Sequence, residues 1–393
     1  MNKRSFTIAD CFSFIKNGAN IKQDKEKRGY PITRIETTSN NVFNRDKVGY
    51  AGIEDITPYQ DYVLEDGDLL MSHINSLPYL GRVVYYDRKQ DEIIIHGMNL
   101  LRLKAIKTRL RPKYATFLFS SIRFKNKILT IAKKSVNQAS FSINDLKKVC
   151  IELPTVEEQD NIVDKLVGIQ KIIQLRNAQL ARLDELVKCR FVELFGDPVS
   201  NPMGWATKRI HEVAPHSPIE IKTESNDIWL LNLDKIESHT GRVTEYVYIH
   251  PDEIGTSTCG FDCRHVLYSK LRPYLNKVVV PNQSGMATSE LLALCPNEEL
   301  NREFLAHLLR SDNFVGYISE KVAGAKMPRV SMDIFRAFPC ILPPMTLQNT
   351  FVSFVQRIDK LRFVVEMSHN HKHFTICGLV YLYANPRLNL GFA

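Results

Sequence analysis

The sequence predicts an α+β fold of two tandem homologous mixed α/β domains separated by long helices. Three observations lead there. First, the 393-residue chain repeats itself: Gln138 to Gln159 returns as Met327 to Gln348, with Ser142/Ser331, Leu153/Leu342, Pro154/Pro343 and Gln159/Gln348 each 189 positions apart. Second, each copy interleaves short β-rich runs with helical patches and with loops carrying Gly, Pro and Asn. Third, each copy ends in an apolar strand, Leu-Pro and an abrupt change to helical period. A repeat this long marks tandem domains rather than a solenoid.

Taken in order, the N-terminal MNKRSFTIADCFSF holds no apolar core long enough for a signal peptide. In the first domain, residues 1–154, Arg82 to Tyr86 and Glu92 to His96 read as strands and Ala115 to Arg123 as a helix. Pro78 to Val84 is answered by Pro273 to Val279 at a spacing of 195, so loops changed length between the copies while cores did not. Thr155-Val156-Glu157-Glu158 has the form of a capping box, which starts a helix. From there Ile162, Leu166, Ile169, Ile173, Leu180, Leu183, Val187 and Leu194 follow the four-three spacing of a coiled-coil seam, interrupted only by Arg176 and Arg190. Gly196 suits the C-terminal cap. Residues 155–197 thus form a rod of roughly 60 Å at 1.5 Å rise per residue. In the second domain, 198–343, Lys277 to Pro281 reads as a strand and Glu303 to Arg310 as a helix. A distal helix, 344–370, restarts the seam with Phe351, Val355, Ile358 and Val365. Past Asn370 the heptad is lost and Pro386 follows, leaving 371–393 as an atypical tail.

Composition describes an ordinary globular protein, 44% hydrophobic and 24% charged, with no apolar run long enough to span a bilayer, so a cytoplasmic location and no membrane partner are expected. The net charge of +9 favours phosphate-bearing partners without choosing among them. The eight cysteines are scattered, and the closest pair, Cys259 and Cys263, has no second pair at zinc-finger spacing, so reduced thiols and no metal are expected.

The repeated order of domain, Leu-Pro and Gln-bearing helix resembles the specificity subunit of type I restriction-modification enzymes. The likeness rests on Leu153-Pro154-Thr155-Val156-Glu157-Glu158-Gln159, its echo Leu342-Pro343-Pro344-Met345-Thr346-Leu347-Gln348, and the helix end Phe191-Val192-Glu193-Leu194-Phe195-Gly196-Asp197-Pro198. The resemblance implies two target recognition domains, each reading one half of a bipartite site in double-stranded DNA, held apart by helices that pack as an antiparallel coiled coil. It also implies two methyltransferase subunits and restriction (endonuclease/translocase) subunits as partners. S-adenosylmethionine, ATP and Mg are then expected on those partners and no cofactor on this chain. No amino-methyltransferase motif, Rossmann-type glycine loop or Walker lysine occurs here, so the chain itself is expected to be non-catalytic.

Base edges are read chiefly by Arg or Lys at guanine and Asn or Gln at adenine, while other cations hold phosphates. The candidates at matching places in the repeat are Tyr79 and Arg82 against Arg272, Tyr274 and Lys277, at the entry to an apolar strand. Lys133, Lys134, Asn137 and Gln138 stand against Lys326 and Arg329 in a polar loop before the final strand. Tyrosine before a Val-Val strand also has a plain packing role, and Lys125 and Lys127 read as solvated or phosphate-facing. Two other readings remain open: a coiled-coil adaptor joining protein partners, and the recognition component of another multi-subunit restriction system.

Overall fold

The computed structural model describes residues 4–24, 26–136, 138–221, 227–323 and 328–384, with backbone alone at 322–323 and 367–384. The chain divides into two compact units, residues 1–175 with 368–393, and residues 176–367.

In the first unit the ends of the expected domain meet: Arg4–Thr7 pairs antiparallel with Cys150–Leu153. Beside this pair lies a four-stranded antiparallel sheet in the order Phe12–Asn17, Leu100–Ala105, Leu69–Ser72, Val83–Tyr85. Leu69–Ser72 is buried along its whole length, as a central strand covered on both faces requires. The main core gathers Leu69, Leu103, Phe119, Phe124, Ile151 and the helix residues Ile162 and Leu166. The helix expected over Ala115 to Arg123 is two helices, Pro112–Ser120 and Ile122–Ile131. Ser121 breaks the run because its backbone is extended (ψ 147°) and its Oγ accepts the Phe124 N–H at 3.2 Å, capping the second helix. The run Glu92 to His96 is not a strand; only Ile95 makes ladder bridges, to Ile32 and Val63. One neighbour there is Pro31, which has no N–H to extend a ladder.

The second unit repeats this plan. Thr207–Arg209 pairs antiparallel with Pro339–Ile341, and Val266–Ser269 is flanked by Val278–Val279 and Leu291–Leu294. Helices Arg302–Arg310 and Asp312–Ser319 are separated by Ser311, which caps the second as Ser121 does. A further four-stranded sheet, ordered Val247–Ile249, Ile228–Leu231, Gly285–Thr288, Thr258–Phe261, has its own small core of Trp229, Leu231, Phe261 and Ala287.

The central helix is one uninterrupted element, Val156–Phe195. Its capping box forms as the sequence predicts: Thr155 Oγ1 accepts the Glu158 N–H at 3.3 Å while Glu158 Oε2 accepts the Thr155 N–H at 3.0 Å. Gly196 closes it at φ +72°. Every seam residue is buried or half-buried. Within the second unit, Asp184 pairs with Arg362 while Phe191 and Phe195 pack on Phe351. Residue numbers fall on one helix as they rise on the other, so these segments run antiparallel. The distal helix spans Met345–Ala384, passing through the stretch where the seam pattern ends at Asn370. Loss of a heptad removes a packing register and not helix propensity, and the first proline after Asn370 is Pro386.

Candidate nucleic-acid interface

In the first unit, Leu69–Ser72 runs through buried His73 into Ile74–Asn75. This short strand leaves the sheet and pairs with Ala139–Ser140, which pairs in turn with Lys133–Lys134. Burial holds the His73 imidazole below its ordinary pKa. The polar loop expected before the final strand is therefore the end of a β-hairpin. The helix Ile143–Lys148 stands between it and that strand.

After Ile74–Asn75 comes a one-turn 3₁₀ helix, Leu77–Tyr79, entered through Pro78. Ser72 ties this turn back to the sheet: its Oγ donates to the Tyr79 carbonyl at 2.7 Å and its N–H to the Arg82 carbonyl at 2.9 Å. Gly81 turns at φ +75°, and a Cβ there would press on Ile128 at 3.1 Å. Tyr79 is left 50% exposed. The Arg82 guanidinium lies over its ring, 4.4 Å from the centroid. Such stacking pre-orients a planar donor fork. Ribbon pairing and turn thus bring Tyr79, Arg82, Lys133, Lys134 and Gln138 to one edge of the unit. Lys133, Lys134 and Gln138 are exposed, and the Gln138 carbonyl accepts both the N–H and the hydroxyl of Ser135. Asn137 lies outside the described residues.

The second unit places its matching residues alike. Leu271 bridges to Arg329, the Arg272 N–H donates to the Pro328 carbonyl at 2.8 Å, and the 3₁₀ turn Pro273–Leu275 follows. Arg272 and Asn276 flank that turn with φ of +50° and +48°. Arg272 and Tyr274 are exposed. Lys277 instead donates its ammonium to the Leu233 carbonyl at 2.6 Å, and Arg329 pairs with Glu290 at 2.6 Å. Lys326 lies outside the described residues. Lys127, read as solvated or phosphate-facing, is held by the Cys150 carbonyl at 2.5 Å.

The sequence reading passed over a cluster on the extra sheet. Tyr246 and Tyr248 are exposed at alternate positions, with Tyr246 against the buried Trp229 ring at 4.9 Å. The Gln283 amide donates to the Tyr248 hydroxyl at 2.8 Å. The alternation Tyr246-Val247-Tyr248-Ile249 was the available signal. Among the described residues no group of three His, Cys, Asp or Glu could hold a metal ion, and no helix is long and apolar enough to cross a membrane.

Residues 2–185 match the family described as type I restriction modification DNA specificity domain. The putative type I restriction enzyme MjaX specificity subunit of Methanocaldococcus jannaschii is 38% identical over 208 residues, 52% of this chain and 48% of that protein. The chain thus spans about half the length of that relative. The type I restriction enzyme EcoDI specificity subunit of Escherichia coli is 20% identical over 326 residues, 71% of this chain and 73% of that protein. In structure, the S subunit of a type I restriction-modification system from M. genitalium superposes with a TM-score of 0.58 at 16% identity, over 97% of this chain and 95% of that one. That likeness is one of fold, and it extends across both copies. The chain is thus similar to the specificity subunits of type I restriction-modification enzymes, and the similarity is carried by residues 2–185, which match the type I restriction modification DNA specificity domain.

Proposed function

We propose that the chain is a sequence-specific DNA-binding specificity subunit in which residues 1–154 and 198–343 each read one half of a bipartite site. The observation that carries this is the duplicated edge. In both units a hairpin strand pairs beside a 3₁₀ turn that exposes a tyrosine, with arginine or lysine next to it. Arg82, Lys133, Lys134, Asn137 and Gln138 contact the first half-site. Arg272, Tyr274, Lys326 and the Tyr246, Tyr248 and Gln283 cluster contact the second, while Lys277 and Arg329 buttress it. The helices at 155–197 and 344–370 carry two methyltransferase subunits. Leu175, Leu186 and Val192 on one, and Leu361, Phe363 and Val364 on the other, are apolar side chains left exposed and open to a protein partner. Restriction subunits join that complex, the chain itself is non-catalytic, and S-adenosylmethionine, ATP and Mg belong to the partners.

The test is co-expression with an adenine methyltransferase subunit encoded beside it, in a methylation-free host, followed by genome-wide mapping of N6-methyladenine. One asymmetric motif with two specified halves around an unread gap is the expected result. A stable complex that methylates nothing, or methylates without a two-part motif, removes the proposal in favour of an adaptor role.

A further inference from the structure

A fully bonded polar arrangement lies where each domain meets its helix. Gln159 and Gln348, 189 positions apart, are both 0% exposed. Each amide is bonded on both sides. Gln159 Oε1 accepts the Arg111 N–H at 2.9 Å, and its Nε2 donates to the carbonyls of Arg109 at 2.9 Å and Pro154 at 3.1 Å. Gln348 repeats this with the Asn301 N–H at 2.8 Å and the carbonyls of Glu299 at 3.0 Å and Pro343 at 2.8 Å. One side chain therefore ties three segments: the strand exit at Leu-Pro, the loop ahead of the helix pair, and the first turn of the long helix. A second bond reinforces each joint from the surface. Arg111 grips Asp160 through two nitrogens in the first unit, and the Asn301 amide donates to Asn349 at 2.9 Å in the second.

Apolar packing alone does not explain a buried amide here, because contact between hydrocarbon surfaces is non-directional and allows rotation. A buried side chain with its donors and its acceptor engaged fixes one geometry, since any other leaves polar groups unpaired in a low dielectric. We infer that Gln159 and Gln348 are positioning residues that fix each recognition domain on its helix and thereby restrict the chain to a single gap between half-sites. This rests on the bipartite reading above. One extra base pair shifts the second half-site by about 3.4 Å and turns it by roughly 35°. Selecting a single gap therefore needs each domain held to about half of those values, which a directional clamp supplies.

The same co-expression assay tests it, with the gap distribution among methylated sites as the readout. The wild-type chain gives two half-sites at one gap; absence of any two-part motif there is failure of the functional reading itself. Gln159→Ala is expected to keep both half-sites while adding sites whose gap is one base pair longer or shorter. Should that variant fail to fold, Asp160→Ala loosens the same joint from its half-exposed side and decides the matter by the same readout. Phe124→Leu, a core substitution that removes none of the joint's hydrogen bonds, is the control expected to keep one gap. A folded Gln159→Ala, or in its place Asp160→Ala, with the wild-type gap overturns the inference, as does equal broadening in the control.

Discussion

The two copies agree where they are buried and differ where they are exposed. The three bonds of the buried glutamine at the joint of strand, Leu-Pro and helix recur in both units. The reading edges keep a common backbone plan with different side chains. Arg82 and its counterpart Lys277 each donate to a carbonyl 44 positions back, that of Thr38 and that of Leu233, and Arg82 in addition lies over the Tyr79 ring. The lesson is energetic. A buried amide has few alternatives that leave every partner bonded, while an exposed side chain costs little to change.

The comparison is broken most directly at the end of the central helix, where Phe195 packs on Phe304 and Phe351. Phe195→Ala is expected to destabilise the second unit by about 3–5 kcal/mol. Tyr79→Ala, at an exposed position, is expected to leave stability within about 0.5 kcal/mol. Urea unfolding of both variants measures the contrast, and equal losses would contradict it. Next come the joints. Gln159→Leu and Gln348→Leu each strand one N–H and two carbonyls, and each is expected to lower stability by about 1–3 kcal/mol. Similar shifts in the urea midpoint sharpen the equivalence of the two joints, whereas a neutral result at one would end it.

At the reading edges, Arg82→Ala is expected to weaken binding of duplexes carrying the first half-site by about 1–3 kcal/mol and to relax base preference there. Lys277→Ala is expected to act through stability, with base preference unchanged; competition binding with single-base variants separates the two. The smallest effect is set by acid. The Arg45 guanidinium beside Glu92 holds its carboxyl down to about 2, from 4.5. Arg264 does the same for Asp262, down to about 2 from 3.8. Both folded pKa values are depressed, so each contribution is fully present above the ordinary value and is lost as pH falls through about 2. The first unit is therefore expected to begin losing its share at higher pH than the second, and Glu92→Gln to flatten that part of an acid-unfolding curve.

How much was legible follows the range of the interactions involved. Thr155 with Glu158, Gly196 and the seam from Ile162 to Leu194 act within a few turns of helix, and each stands where the sequence placed it. The break at Ser121 was hidden because the apolar period continues across it and a single ψ decides it. The hairpin at Lys133–Lys134 and Ala139–Ser140 is too short for strand periodicity to register. Lys277 looked available for DNA because its partner, the Leu233 carbonyl, lies 44 positions away. The two glutamines were visible as a repeat, but their partners are backbone groups, which leave no trace in side-chain identity.

The paired terminal strands, Arg4–Thr7 with Cys150–Leu153 and Thr207–Arg209 with Pro339–Ile341, place the entrance and exit of each domain about 4.8 Å apart. Everything between is a closed excursion of the chain. Genetic exchange of such an excursion, cut at its two adjoining strands, would carry a whole candidate edge, Tyr79 and Arg82 with Lys133 and Lys134, in one event. Half of the joint would travel with it, because the Arg109 and Arg111 backbone groups that meet Gln159 lie inside the excursion.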